Sequence, residues 1–202
     1  MSTITVVKKN GYVAIAAETL ASYGPLKMSA TYSKTNRKIA VVGRSYLGMA
    51  GWAVSQQVLE HAFRSAGKPP AFADTTEIFG VFQVLHARLK EQYFLVPRSD
   101  AEDAFEVSQL HVLIANPHGI FSVGSMRTVT EHERFWASGS GTEYALGAMH
   151  AVYDATNDVV AIAETGVRAG IEFDNASGGP IESYVLRLAS EPVEELDLLL
   201  KM

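Results

Sequence analysis

Few residues in this chain have side chains suited to covalent chemistry. There is no cysteine, which removes disulfides, thiolate zinc sites, iron–sulfur clusters and cysteine nucleophiles together. The six histidines, at positions 61, 86, 111, 118, 132 and 150, show no ligand spacing. His132, inside Glu131-His132-Glu133, reads as part of a solvated turn rather than a metal ligand, and neither metal nor cofactor is expected. Phosphate-loop, dinucleotide, zinc-protease and nucleophile-elbow motifs are all missing. One of the few routes left to nucleophilic catalysis is a hydroxyl at the chain terminus, activated by the terminal amine itself. An α-amino group titrates at about 7.7–8.0, close to the working pH of a general base. The chain opens Met1-Ser2-Thr3, so loss of Met1 would leave Ser2 as an N-terminal hydroxyl residue. A second stretch, Ser138-Gly139-Ser140-Gly141-Thr142, stands directly before a helical pattern. Alone it reads as a helix N-cap with a tight backbone approach.

Those residues need elements to position them. Polar and apolar residues alternate in Thr3-Ile4-Thr5-Val6, and Asn10-Gly11 then separates this run from Tyr12-Val13-Ala14-Ile15-Ala16. Both turn residues tolerate positive φ, so the pair predicts a β-hairpin. Further strands are expected at 38–42 and 46–49. Val54, Val58, Leu59, Ala62 and Phe63 recur at helical spacing, ending at Gly67-Lys68-Pro69-Pro70. Asp74 and Glu77 have the spacing of a capping box that opens a second helix, with Ile78, Phe82, Leu85 and Leu89 as its apolar stripe. After an acidic loop from Pro97 to Glu106, strands are expected at 107–115 and 119–123 around the turn Asn116-Pro117-His118. Two helices, about 142–155 and 158–171, precede a final strand near 181–188 and an acidic tail. Strands, two helices, strands, two helices and a strand form a segregated pattern. Two sheets packed face to face, each covered by a helix pair, satisfy it. Burial on both faces also accounts for strands that read as continuous apolar runs.

Composition sets the outer bounds. The 202 residues carry 17 Lys+Arg against 22 Asp+Glu, a net charge of −5, with 48% hydrophobic residues. That length and apolar content build an ample core, and residues 1–202 are expected to form one domain. The mild negative balance argues against nucleic acid as a partner, since phosphate binding calls for a basic stripe. No apolar run approaches the roughly 18 residues that span a bilayer. Lys8 and Lys9 interrupt the first apolar stretch too early for a signal peptide, so a soluble cytoplasmic protein is expected.

Six segments in order resemble the proteasome β-subunit superfamily, with the closest likeness to HslV and to the proteasome homologue of betaproteobacteria. They are Ser2-Thr3-Ile4-Thr5-Val6-Val7-Lys8-Lys9-Asn10-Gly11, Ala14-Ile15-Ala16-Ala17-Glu18, Asn36-Arg37-Lys38-Ile39, Leu47-Gly48-Met49-Ala50-Gly51, Ser138-Gly139-Ser140-Gly141 and Asp174-Asn175-Ala176-Ser177-Gly178-Gly179. The resemblance runs from residue 2 to about 188 and implies an α+β fold, the four-layer αββα sandwich of N-terminal nucleophile hydrolases.

The resemblance also implies roles. Ser2 takes the place of the N-terminal nucleophile, and its spacing of 16 positions to Glu18 equals that from nucleophile to acid in the family. Thr3, one position on, would point to the opposite face of its strand. Lys38 would stand beside the hydroxyl, with Glu18 orienting it, and Gly51 would supply the N–H for the oxyanion. Ser140, Asp174 and Ser177 would hold the terminal amine and a proton-relaying water. Met49 and Ala53 would line the pocket for the side chain before the scissile bond. The chain departs from the family in three places. Serine replaces threonine at position 2, glutamate replaces aspartate at 18, and Trp52 follows Gly51 where a small residue is usual, implying a narrower cleft. The function implied is a self-compartmentalising peptidase: a homo-oligomer of 12 or 14 subunits in two stacked rings, acting on unfolded polypeptide or peptides, with an ATP-dependent unfoldase as a possible partner. The alternatives are a catalytically impaired ring serving as scaffold or binding chamber, and a related amidohydrolase acting on a small amide.

Overall fold

The computed structural model describes residues 2–97 and 104–189. In chain order the elements are β1 (Ile4–Lys9), β2 (Tyr12–Glu18), β3 (Ala21–Tyr23), β4 (Leu26–Met28), β5 (Ile39–Val42), β6 (Ser45–Ala50), α1 (Ala53–Ser65), α2 (Thr75–Tyr93), β7 (His111–Asn116), β8 (Gly119–Val123), β9 (Val129–His132), β10 (Phe135–Ser138), α3 (Thr142–Tyr153), α4 (Val159–Phe173) and β11 (Ile181–Arg187). The first sheet has the order β10-β1-β2-β11 and the second β5-β6-β7-β8-β9, while β3 and β4 pair as a separate hairpin. Every pairing is antiparallel.

Side-chain alternation sorts the strand residues into three cores. Ile4, Val6, Val13, Ile15 and Ala17 of the first sheet meet Ile39, Leu113, Ala115 and Ile120 of the second. On the other face of the first sheet, Val7, Ala14 and Ala16 pack beneath Met149, Ile162 and Val167 of α3 and α4. Leu47, Val112 and Ile114 of the second sheet pack beneath Leu59, Phe63, Phe82 and Leu85 of α1 and α2. The result is the αββα sandwich, and both faces of β1 are dry. That is why Ile4-Thr5-Val6-Val7 is buried without interruption.

Local chemistry explains most boundaries. Asn10 and Gly11 adopt φ of 50° and 77°, as a two-residue hairpin turn requires. Asp158 caps α4 by accepting from the amides of Val160 and Ala161. Asp74 caps α2 by accepting from Glu77 N at 2.8 Å. Glu77 does not complete a capping box, however. Its carboxylate reaches past Asp74 to the amides of Ala73, at 2.9 Å, and Ala71, at 3.1 Å, so it secures the incoming loop instead. Asn116 turns the β7–β8 hairpin by accepting from His118 N and Gly119 N.

Several expectations need correction. β7 starts at His111 rather than 107, because Gln109 takes a left-handed φ of 54° and breaks the strand. β3 and β4 fall within the first fifty residues, which read as nearly all sheet, and β9 and β10 add two short strands beyond those the pattern predicts. His132 ends β9 and is not in a solvated turn: its Nε2 lies 2.8 Å from Ser122 Oγ, and its ring stacks on Trp136 at 4.9 Å. The acidic tail from 190 onward, and residues 98–103 of the acidic loop, lie outside the described residues. No described helix is long and apolar enough to cross a membrane.

At Gly48 the facing sheets leave no room for a side chain: a Cβ would come within 2.6 Å of Ile4 Cγ2 and 3.0 Å of Ile15 Cδ1. Overpacking a dry interface of this kind costs about 1–3 kcal/mol. Gly48→Ala is therefore expected to lower the urea midpoint by that equivalent, with Ile4→Ala restoring part of the loss.

Candidate active site

Ser2 sits just ahead of β1, the strand flanked on one side by β2 and on the other by β10. The end of β2 and the loop after β10 hold the backbone here. Glu18 N donates to Thr3 O at 3.2 Å, and Gly141 N donates to Ser2 O at 3.2 Å. Gly139, at φ +107°, lies so close that a Cβ there would overlap the Ser2 carbonyl. Thr3 points toward α3 and α4, and a Cβ on Gly141 or Gly170 would overlap its side chain. The strand alternation then directs Ser2 the opposite way, toward the second sheet. Ser2 is only 2% exposed.

There Lys38, the residue before β5, brings its ammonium to Ser2 Oγ, with Nζ–Oγ 3.1 Å. The same Nζ is ion-paired with Glu18 Oε1. Glu18 has no exposed surface, and a buried carboxylate demands partners for both oxygens. Its Oε2 accepts from Leu20 N at 2.7 Å and Gly178 N at 3.1 Å. The glutamate thus spans from the end of β2 to the lysine while its second oxygen is fixed by main chain.

A second polar chain runs from the backbone of Ser2. Ser2 N donates to Ser140 Oγ at 3.1 Å, and Ser140 Oγ donates to Asp174 Oδ2 at 2.6 Å. Ser177 Oγ donates to the same oxygen at 2.7 Å, so Thr3 Oγ1, 2.7 Å away, donates to Ser177. Ala176 N completes the set on Asp174 Oδ1 at 3.2 Å. Partial burial raises the Asp174 pKa, but hydrogen bonds from Ser140, Ser177 and the Ala176 amide outweigh it and hold the carboxyl below its ordinary value.

Of the expected site residues, the fold brings Ser2, Glu18, Lys38, Ser140, Asp174 and Ser177 into one connected network. Gly51 lies at the bend after β6 with φ +141°. Trp52 is the N-cap of α1 and 72% exposed, and Ala53 begins that helix exposed. Met49 is buried in the core beneath α1 and α2. Three residues were missed. Thr3 closes the hydroxyl chain, and Gly178 supplies an amide to Glu18. Glu182 Oε1 accepts from Lys38 N at 2.7 Å and Ile39 N at 3.1 Å. Burial raises the Glu182 pKa above its ordinary value, although those two amides and the charges of Arg37 and Lys38 oppose the rise. A signal for Glu182 existed: it shares the inward face of β11 with Tyr184 and Leu186, a costly place for a charge without partners.

One further arrangement mimics catalytic machinery. Ser108 Oγ lies 2.8 Å from His86 Nδ1, and His86 Nε2 lies 3.0 Å from Glu106 Oε2. Ser108 is only 3% exposed, and its oxygen already accepts from Arg127 Nη1 at 2.9 Å. The same Arg127 nitrogen also donates to the Glu106 carbonyl at 2.8 Å, so the group forms a structural brace. This triad ties residues 106–108 to α2. No cluster suited to a metal occurs among the described residues.

The chain matches the model of a family described as proteasome subunit over residues 1–186. It is 31% identical to a proteasome subunit beta of Nanoarchaeum equitans (strain Kin4-M) over 105 residues, 48% of this chain and 53% of that one. The match thus spans about half the length of the curated relative. Among solved structures, Thiobacillus denitrificans BPH superimposes with a TM-score of 0.89 at 45% identity, covering 94% of this chain and 100% of that one. The structure of BPH in complex with Epoxomicin gives 0.87 at 44% identity, covering 93% and 100%. Eukaryotic HslV from Trypanosoma brucei shares the fold, with a TM-score of 0.62 at 18% identity over 92% of this chain and 99% of that one.

The lowered Asp174 pKa has a signed consequence. A carboxyl with a folded pKa below its unfolded value stabilises the fold above the unfolded value, about 3.9, and loses that contribution as pH falls through the folded one. Asp174→Asn keeps the shape and loses the charge. The difference in Tm between parent and variant is expected to be constant above about pH 5 and to shrink below about pH 4, read by thermal melts across that range.

Proposed function

Because the chain belongs to the proteasome subunit family, we propose that it is a peptidase whose nucleophile is the Ser2 hydroxyl. The observation that carries this reading is Lys38 Nζ at 3.1 Å from Ser2 Oγ, held there by ion pairing to the fully buried Glu18. Removal of Met1 frees the Ser2 α-amine, which takes the proton from Ser2 Oγ while the Lys38 ammonium stabilises the developing alkoxide. The alkoxide attacks the peptide carbonyl carbon, and the oxyanion forms toward the Gly51 N–H. The carbon–nitrogen bond then breaks, and the leaving amine recovers the proton from the Ser2 ammonium. Water, activated by the same amine, hydrolyses the resulting ester and restores the hydroxyl. Ser140, with Asp174 and Ser177 behind it, holds the amine through the position its nitrogen already occupies. Met49 forms the floor and Ala53 the rim of the pocket for the side chain before the scissile bond.

Serine supports this chemistry as threonine does, without the methyl that restricts the rotamer. The extra methylene of Glu18 is accommodated, since its carboxylate still reaches the ammonium while accepting two amides. We extend the reading to a cytoplasmic homo-oligomer of 12 or 14 subunits in two stacked rings that encloses these sites, with unfolded polypeptide or peptides as substrate. Rotational symmetry buries complementary surface without open ends. An ATP-dependent unfoldase is the partner such a chamber would take.

Two measurements test the proposal. A peptide epoxyketone reacts with a hydroxyl and a free α-amine on one residue, and a solved relative is in complex with Epoxomicin. One adduct on Ser2, in protein lacking Met1, is expected by intact and peptide mass. Ser2→Ala should give none and lose peptide hydrolysis, and Lys38→Ala should react about 100-fold more slowly or worse. Hydrolysis surviving in Ser2→Ala would remove Ser2 from the role.

The assembly is checked separately. At 21.9 kDa per chain, light scattering at micromolar concentration should give roughly 260 or 310 kDa for closed double rings. A monomer or dimer would overturn the enclosure.

A further inference from the structure

Lys38 is carried by a stretch without regular structure. Residues 29–38 pass from β4 to β5 through turns and bends, and β5 is the outer strand of the second sheet. The Lys38 carbonyl is tied inward, accepting from Met49 N at 2.9 Å. On the outer side no strand continues the sheet, and main-chain donors there need partners of another kind. The amides of Lys38 and Ile39 converge on one atom, Glu182 Oε1, at 2.7 and 3.1 Å.

The acceptor comes from the other sheet. On β11, Ile181 is opposite Glu18 and Glu182 is opposite Ala17. Successive residues of one strand therefore adjoin the two halves of the ion pair. Ile181 is in register with Glu18, and Glu182 grips the backbone of Lys38. A lysine ammonium rides on a flexible four-carbon stem, so its placement depends on where the backbone is held.

We propose that Glu182 is a positioning residue for the nucleophilic site, clamping the start of β5 to β11 so that the Lys38 ammonium stands at Ser2 Oγ. This rests on the peptidase reading above. Misplacing a catalytic group by about 1 Å costs on the order of 100-fold in rate, and loss of this clamp leaves Lys38 at the end of an irregular segment. The half-buried state of Glu182 and its raised pKa agree with an acid kept at a sheet junction for its acceptor geometry.

The test compares Glu182→Ala, Glu182→Gln and Glu182→Asp in the assembled protein. Glutamine keeps an acceptor oxygen at the same reach, aspartate withdraws it by one methylene, and alanine removes it. We expect Glu182→Ala to lower kcat at least tenfold with KM within threefold, and to slow epoxyketone labelling of Ser2 equally. Glu182→Gln should stay within threefold of the parent, and Glu182→Asp should fall between. Hydrogen exchange in peptides covering 36–40 should quicken in the alanine variant and not in the glutamine one. A kcat within threefold of the parent in Glu182→Ala, or in Glu182→Asp if the alanine variant fails to fold, overturns the proposal, as does unchanged exchange. Ser2→Ala runs alongside: hydrolysis persisting there defeats the peptidase reading, whereas the exchange measurement judges the clamp by itself.

Discussion

A carboxylate with no access to water governs the arrangement around it. Glu18 ends a strand whose two faces are both dry, and an ion there is tolerable only when each oxygen has a donor. One oxygen is matched by the amides of Leu20 and Gly178, the other by the Lys38 ammonium. To deliver that ammonium, the chain must bring the start of the second sheet against the end of the first. To deliver the Gly178 amide, the segment after α4 must fold back over β2. The hydroxyl of Ser2 then lies where these requirements meet.

Close packing supplies the second requirement. The backbone of Ser2 and the side chain of Thr3 occupy space that a Cβ at Gly139, Gly141 or Gly170 would claim. Two of these glycines belong to the loop before α3 and one to the last turns of α4, so two separate parts of the chain give way to the same residues. The serines between and beyond them, Ser140 and Ser177, are small enough to fit and still offer hydroxyls to Asp174. Glycine-rich sequence before a helix often marks phosphate binding, but here it makes room for the protein's own chain.

Much of this was legible in the amino-acid sequence because it is local. Asn10-Gly11 announced its hairpin, Asp74 its helix, and the segregated order of strands and helices the layered sandwich. The family likeness then pointed to Ser2, Glu18 and Lys38. What escaped depends on distant partners. The strands β3, β4, β9 and β10 are three or four residues long, and none has the unbroken apolar run that marks the equally short β5. Thr3 looks like any strand threonine until Ser177 arrives beside it, 174 positions away in sequence. Glu77 has capping-box spacing but is turned aside by the geometry of the preceding loop. The charged neighbours of His132 suggest a solvated turn, whereas one face of its ring stacks on Trp136 and its Nε2 meets the Ser122 hydroxyl.

The sequence separations within the site bear on how the chain is made. Synthesis delivers Ser2 well before Ser140, Asp174, Ser177 and Gly178, which define its surroundings. Loop closure over such separations is slow and comes late in folding. The hairpin of β1 and β2 can form early, but it carries a bare hydroxyl with no acid chain behind its nitrogen. A nascent or prematurely terminated polypeptide ending before 174 therefore lacks part of the site, however well its first sheet has begun to pair.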